Sequence, residues 1–279
     1  MVTQNRVLIT GGTNGIGKAT AFELSKLGYS VTIVGQTKEK CIHVSEQILS
    51  LTGNKVDWIA GDLSTLDGIR TIASVYTNRN ESLQILINNA GAFFFRKIIT
   101  KDGFEKTFAL NHLNYFYLTL LLLDLLKGSQ PARVINVSSM AHMSLTKLNF
   151  DNLNGEKHYS GWEAYSKSKL CNLLFTYELA RILSNESISV NAVHPGYVGS
   201  GFAMNNGIFI KVFTSIGSRL FARTPEKGAE TCIYLAISSN GKLTTGKYFM
   251  DCHETQSSKL SMDRSLASRL WQESMDMIV

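Results

Sequence analysis

The stretch Thr10-Gly-Gly-Thr-Asn-Gly-Ile-Gly17 constrains this chain most, because of what flanks it. Ahead of it stands Asn5-Arg-Val-Leu-Ile9, short, β-branched and apolar, which predicts a buried strand. Behind it, Lys18-Ala-Thr-Ala-Phe-Glu-Leu-Ser-Lys-Leu27 predicts a helix stopped by Gly28. A strand, a glycine turn and a helix N-terminus bring backbone N–H groups and the positive end of the helix to one spot. That spot suits an anion, typically a pyrophosphate. The spacing is Gly11-x-x-x-Gly15-x-Gly17 rather than the commoner G-x-G-x-x-G. A glycine turn that holds no ligand is the plain alternative.

The same alternation continues to the end of the chain. Apolar, β-branched runs predict strands near 5–10, 30–35, 55–60, 83–88, 132–138, 187–193 and 246–250. Helices are expected near 15–27, 38–51, 66–78, 102–127, 160–184 and 225–237. Strands alternating with helices predict a parallel sheet covered on both faces. Right-handed crossovers make it doubly wound, with ligands beyond the carboxyl ends of its strands. At 279 residues, 44% of them hydrophobic, with no linker, repeat or low-complexity tract, residues 1–279 are read as a single domain.

Several function classes lose support here. The apolar stretch Tyr115–Leu126 is too short to span a bilayer and contains Asp124, so a core or dimer-interface helix is expected. The few residues before the first strand lead us to expect no signal peptide, and a cytoplasmic protein. Cys41, Cys171, Cys232 and Cys252 form no C-x-x-C pair, and the six histidines show no metal-binding spacing, so no metal is expected. The net charge of +6 comes from scattered Lys and Arg, which argues against nucleic acid as a partner and suits a phosphate-bearing cofactor.

Tyr165 and Lys169 stand four apart in Glu163-Ala-Tyr-Ser-Lys-Ser-Lys-Leu-Cys-Asn172, on one face of the predicted helix 160–184. A phenol is a poor acid or base near neutrality, but a nearby cation favours its anion and lowers its pKa. The pair therefore suits proton transfer; a plain surface helix face is the other reading.

With these pieces in order, the chain resembles the short-chain dehydrogenase/reductase family over nearly its whole length. The resemblance rests on Thr10–Gly17, Asp62-Leu63, Asn88-Asn-Ala-Gly91, Asn111, Ser139, Tyr165-x-x-x-Lys169 and Pro195-Gly196. Arg133–His142 and Leu148–Leu174 are similar to its retinol-dehydrogenase-like branch. Members of that branch often carry an N-terminal membrane anchor, which is not expected of this chain. The resemblance implies a Rossmann-like doubly wound parallel sheet of about seven strands, and an NAD(P)(H)-dependent oxidoreductase that interconverts a carbonyl and an alcohol. Tyr165 would be the general acid/base, with Lys169 lowering its pKa and holding the nicotinamide ribose. Ser139 would polarise the carbonyl, with Ser138 as competitor and a strand-capping serine as alternative. Asn111 would anchor a water, or else be a helix amide bonded to backbone.

The resemblance also implies a cofactor shell. Gly11, Thr13, Asn14, Gly15, Ile16 and Gly17 would cradle the pyrophosphate; Asp62 and Leu63 would meet the adenine. Asn89, Ala90 and Gly91 would floor the adenine-side ribose; Pro195, Gly196, Val198 and Ser200 would meet the carboxamide. Tyr165 and Lys169 complete the shell. Asn88 is expected to stabilise the sheet, and His142, His158 and His194 to be structural hydrogen-bond formers.

The second strand ends Val31-Thr-Ile-Val-Gly-Gln-Thr37, with no acid to repel a 2′-phosphate. Gln36 stands where many NADP-dependent relatives carry arginine, with Thr37, Lys38 and Lys40 as further candidate contacts, so NADP(H) is favoured over NAD(H). Gly199–Arg223, apolar and broken by Gly201, Gly207 and Gly217, is read as a substrate lid at 199–223. A dimer or membrane-surface patch is its alternative. Phe93-Phe-Phe95 could line the opposite wall, so a hydrophobic carbonyl or alcohol is the expected substrate, in a homodimer or homotetramer. The competing function is a non-catalytic dinucleotide-binding regulatory or scaffold protein.

Overall fold

The computed structural model describes residues 5–196, 223–239, 241 and 244–279. Eight strands form one sheet in the order β3-β2-β1-β4-β5-β6-β7-β8. They are β1 Arg6–Thr10, β2 Ser30–Gly35, β3 Asp57–Ala60, β4 Ile85–Asn88, β5 Ala132–Val137, β6 Ile188–His194, β7 Lys247–Met250 and β8 His253–Thr255. β1 to β7 are mutually parallel; β8 returns antiparallel along β7. The chain winds outward from β1 to β3, then crosses back to place β4 on the other side of β1. That reversal opens a crevice at the carboxyl ends of β1 and β4.

Alternation along each strand loads the two faces separately. Val7, Ile9, Val31 and Ile33 pack with α1 Gly15–Lys26, α2 Lys38–Thr52 and α8 Pro225–Ile237. Leu8, Val34, Leu86 and Val190 pack on the other face with α3 Leu66–Arg79, α5 Asn114–Leu121 and α7 Gly161–Ile182. Tyr115–Leu118, expected in a core or an interface, lies in this second layer.

One expectation needs correction. The helix expected over 102–127 starts later and is broken. Gly103 sits at φ +86°, and Glu105 caps the new start through Thr107 N and Phe108 N. A three-residue turn α4 Lys106–Phe108 passes through a wider π turn at Ala109–Leu113 into α5, and α6 Leu123–Gly128 follows. The parallel sheet has the expected seven strands among the described residues, and the antiparallel β8 is added where Asp251 (φ 51°) and Cys252 (φ 65°) make a two-residue hairpin turn without the usual Gly or Asn. A helix α9 Arg264–Ile278 follows, capped by Asp263, and lays Ala267, Leu270 and Ile278 inward. That spacing of apolar residues is visible in the sequence.

Candidate active site

The glycine turn leaves no room for side chains. Gly11 (φ +66°) and Gly15 (φ +51°) occupy the left-handed region. A Cβ on Gly17 would lie 2.4 Å from the Gly11 carbonyl oxygen and 2.5 Å from Asn89 Nδ2. Gly17 thus serves contact between α1 and the turn. Asn14 caps α1 by accepting from Gly15 N at 2.8 Å. Thr10, which the sequence did not single out, accepts at Oγ1 from Asn89 N (2.9 Å) and Ala90 N (3.0 Å). Asn89 Nδ2 in turn donates to the Thr10 carbonyl at 2.8 Å. The Asn89 amide therefore holds the turn against β4, a role beyond the expected ribose floor. Asn88 donates to Thr119 Oγ1 and Asn136 Oδ1, each at 2.9 Å, and ties β4 to β5 and α5.

Tyr165 and Lys169 lie one turn apart on α7, both buried. Lys169 Nζ is 5.7 Å from the Tyr165 ring centroid and donates to the Val137 carbonyl at 2.9 Å. Burial pulls the ammonium down to about 7. Burial also pushes the Tyr165 phenol up to about 12, against the opposing hydrogen bond from Ser139. The expected lowering of Tyr165 by Lys169 is therefore not what the protein's own groups produce: desolvation disfavours both charged forms. The two serines separate by geometry. Ser138 is buried and donates to the Lys169 carbonyl at 2.8 Å, whereas Ser139 caps the 3-10 turn Met140–Ser144 and reaches Tyr165.

Asn111 sits in the π turn, a local widening that often marks functional sites. It accepts from Ala92 N at 2.9 Å and donates to Ala92 O and Ser168 Oγ, each at 3.0 Å. Its amide thus fixes the strand end after Gly91 and the helix that carries Tyr165.

One cavity of about 870 Å³ runs along the carboxyl ends of the strands. It is lined by Gly11, Thr13, Asn14, Gly15, Ile16, Gln36, Asp62, Leu63, Asn89, Ala90, Gly91, Ser139, Tyr165, Lys169, Pro195 and Gly196. Gly17 and Asn111 lie behind this lining; Val198, Ser200 and all of the expected lid but Arg223 fall outside the described residues. Lys38 and Lys40 are exposed and do not line it, and Asp62 spends its carboxylate on Ser64 N and Oγ. Sequence reasoning did not foresee the apolar end: Ile98, Leu110, Met140 and Trp162 join Phe94 there. These residues carry no motif, and only the fold gathers them. Phe93 stacks edge-on against Tyr165, with centroids 5.8 Å apart.

The histidines differ. His142 Nε2 accepts from Ser258 N at 3.1 Å, so its proton sits on Nδ1, 2.6 Å from the Ser139 carbonyl oxygen. Exposed His158 lies 3.9 Å from Glu163. His194 lines the cavity, is 8% exposed, and is held down to about 4 by burial and by the Arg223 cation, so it is neutral. Its Nδ1 has no hydrogen-bond partner among the described residues. Among the described residues, no group of His, Cys, Asp or Glu could hold a metal ion, and no helix is long and apolar enough to cross a membrane.

Comparison with known proteins places this geometry. The short chain dehydrogenase family model matches residues 5–208. Retinol dehydrogenase 11 of Homo sapiens is 39% identical over 273 residues, covering 98% of this chain and 85% of that protein. The chloroplastic short-chain dehydrogenase TIC 32 A of Brassica napus is 37% identical over 281 residues, covering 97% of this chain and 88% of its own length. The crystal structure of an uncharacterised protein from Mycobacterium Paratuberculosis superposes with a TM-score of 0.80 at 30% identity, covering 99% of this chain and 93% of that one. The Pseudomonas aeruginosa RhlG/NADP active-site complex gives 0.71 at 28% identity, covering 89% and 94%. The chain thus belongs to the short-chain dehydrogenase/reductase family, in its retinol-dehydrogenase-like branch, and is an enzyme of CH–OH and C=O groups.

Proposed function

We propose that this enzyme interconverts a carbonyl and an alcohol on a hydrophobic small molecule, with NADP(H) preferred to NAD(H) and Tyr165 as general acid/base. The observation that carries the reading is one cavity with the glycine cradle at one end and Tyr165, Ser139 and Lys169 at the other. A dinucleotide fits this lining: a Cβ on Gly11 would lie 2.9 Å from Ala90 Cα, so turn and strand end are shaped by backbone alone. Gly11, Asn14, Gly15 and Ile16 would hold the pyrophosphate against the start of α1, and Pro195-Gly196 the carboxamide end. When bound, the nicotinamide supplies or accepts the hydride.

Tyr165 donates its phenolic proton to the substrate oxygen in the reductive direction. Ser139, already hydrogen-bonded to Tyr165, is placed to donate to the same oxygen as charge builds there. The raised pKa keeps Tyr165 protonated at neutral pH, the form that donates in the reductive direction. Lys169, held by the Val137 carbonyl, presents its ammonium to a ribose hydroxyl. Asn111 ties the segment after β4 to the helix that carries Tyr165, through Ala92 and Ser168. Phe94, Ile98, Leu110, Met140 and Trp162 favour an apolar substrate such as a long-chain or polyene aldehyde.

The cofactor preference is supported by Gln36 at the cavity wall, with no carboxylate among the lining residues at the end of β2. A cytoplasmic location and a homodimer or homotetramer belong to the same proposal and are read by fractionation and light scattering. A screen of apolar aldehydes, ketones and alcohols with each cofactor, followed at the nicotinamide absorbance, tests the whole. No turnover of any of them, with cofactor bound, would favour a dinucleotide-binding scaffold instead.

A further inference from the structure

Arg223 links the end of β6 to the β7–β8 turn. Its guanidinium grips Asp251 with two nitrogens, Nη1 to Oδ1 and Nη2 to Oδ2 at 3.1 Å. The same side chain lies flat on Gly196: a Cβ there would meet Arg223 Cδ at 2.6 Å, Nε at 2.8 Å and Nη1 at 2.9 Å. Gly196 is at φ +81°, so both backbone and space demand glycine. Gly196, at the cavity wall after β6, and Arg223, before α8, therefore touch through one side chain.

Asp251 is itself fixed. It sits in the left-handed region within the β7–β8 turn, a conformation that Asp and Asn tolerate better than most. The next residue, Cys252, donates its N–H to Thr231 Oγ1 on α8 at 3.2 Å. Thr224, beside Arg223, caps α8 by accepting from Lys227 N. The carboxylate thus stands on a frame built from β7, β8 and α8, and the guanidinium carries that frame to Gly196. Arg223 and Asp251 side chains are 35% and 47% exposed, so the pair adds little to global stability. Its two-pronged geometry confers direction instead.

We infer that the Arg223–Asp251 pair is a positioning clasp for the Pro195-Gly196 corner, fixing the cavity wall against which the nicotinamide half of the dinucleotide lies. This rests on the proposed dinucleotide site and adds two residues to it, neither of which lines the cavity. A clasp at one end predicts a lopsided defect. Loosening it weakens binding of the nicotinamide half and leaves the adenine half, held at the glycine turn far along the cavity, unchanged.

Asp251→Asn is the informative variant, because it keeps shape and tolerance of the left-handed backbone while removing the charge. Arg223→Lys keeps charge but loses the flat, two-pronged fork. Titration calorimetry compares NADPH with 2′,5′-ADP, which carries only the adenine half. For Asp251→Asn we expect NADPH affinity to fall about tenfold, the scale of one charge-assisted contact, while 2′,5′-ADP binds as in the wild type. Arg223→Lys should fall between. Equal NADPH affinity in wild type and Asp251→Asn would overturn the clasp and leave the proposed function standing. Parallel loss of both ligands would show a merely structural pair and also overturn it. A wild-type protein that binds no dinucleotide would overturn the proposed function, and the clasp with it.

Discussion

At the scale of single residues, burial decides the resting state of the Tyr165–Lys169 pair. Burial disfavours the charged form of both groups, bringing Lys169 to about 7 and Tyr165 to about 12. The pH dependence of stability follows from the signs. The unfolded chain holds the Lys169 proton up to its ordinary 10.5, whereas the folded protein releases it near 7. Between those values the unfolded state binds more protons, so stability rises with pH and is lost again as pH falls toward 7. Tyr165 acts oppositely: its contribution is present below its ordinary value of 10 and is lost from there up to about 12. Urea melts of wild type and Lys169→Met at neutral and mildly alkaline pH isolate Lys169, because the other shifted groups of that interval, among them Lys167 and the Cys171 and Cys232 thiols, are common to both. Wild type should gain stability relative to Lys169→Met over that interval, and parallel curves would contradict the burial argument. In turnover, Lys169→Ala should impair both cofactor binding and rate, on the order of 10²-fold or more in kcat/KM. Steady-state kinetics with saturating and limiting cofactor separates the two.

At the scale of elements, legibility in the sequence followed local chemistry. β1, the glycine turn and α1 were readable because strand, turn and helix signals sit within one short stretch, and the observed α1 starts where Gly15 placed it. The break in the helix expected over 102–127 was not readable: Glu105 capping and the π turn at Ala109–Leu113 answer to Asn111 reaching Ala92 across the fold. β8 was hidden because its turn uses Asp251 and Cys252 in place of Gly or Asn. α9, by contrast, did carry a signal, Asp263 as cap followed by Ala267, Leu270 and Ile278. Leu270 is fully enclosed between α9 and α7 near Leu170 and Leu174, so Leu270→Ala should cost about 3 kcal/mol, read from the urea midpoint. Gly17→Ala belongs to the same scale. Its methyl would meet the Gly11 carbonyl and Asn89 Nδ2, and the turn must open. Dinucleotide affinity should fall by about tenfold or more, as measured by calorimetry, with the sheet itself intact by circular dichroism.

At the scale of the molecule, the doubly wound order places every parallel strand end on one side, and one cavity there collects residues from β1, β2, β3, β4, β5, β6 and α7. Most motif residues were legible because they sit at a strand end, at the start of α1 or on α7. The apolar end was not, since Ile98, Leu110, Met140 and Trp162 come from four separate segments joined only by folding. Cofactor choice is a property of this whole edge. NADPH should be used in preference to NADH, and Gln36→Arg should sharpen the preference by pairing with the 2′-phosphate; matched kinetics with both cofactors decide it. The most direct test of the account removes one oxygen atom. Wild type and Tyr165→Phe are compared for NADPH-dependent reduction of an apolar aldehyde, with NADPH affinity measured on both. The account predicts a loss of turnover on the order of 10³-fold in Tyr165→Phe, with NADPH bound within a few-fold of wild type; near-wild-type turnover in that variant would contradict it.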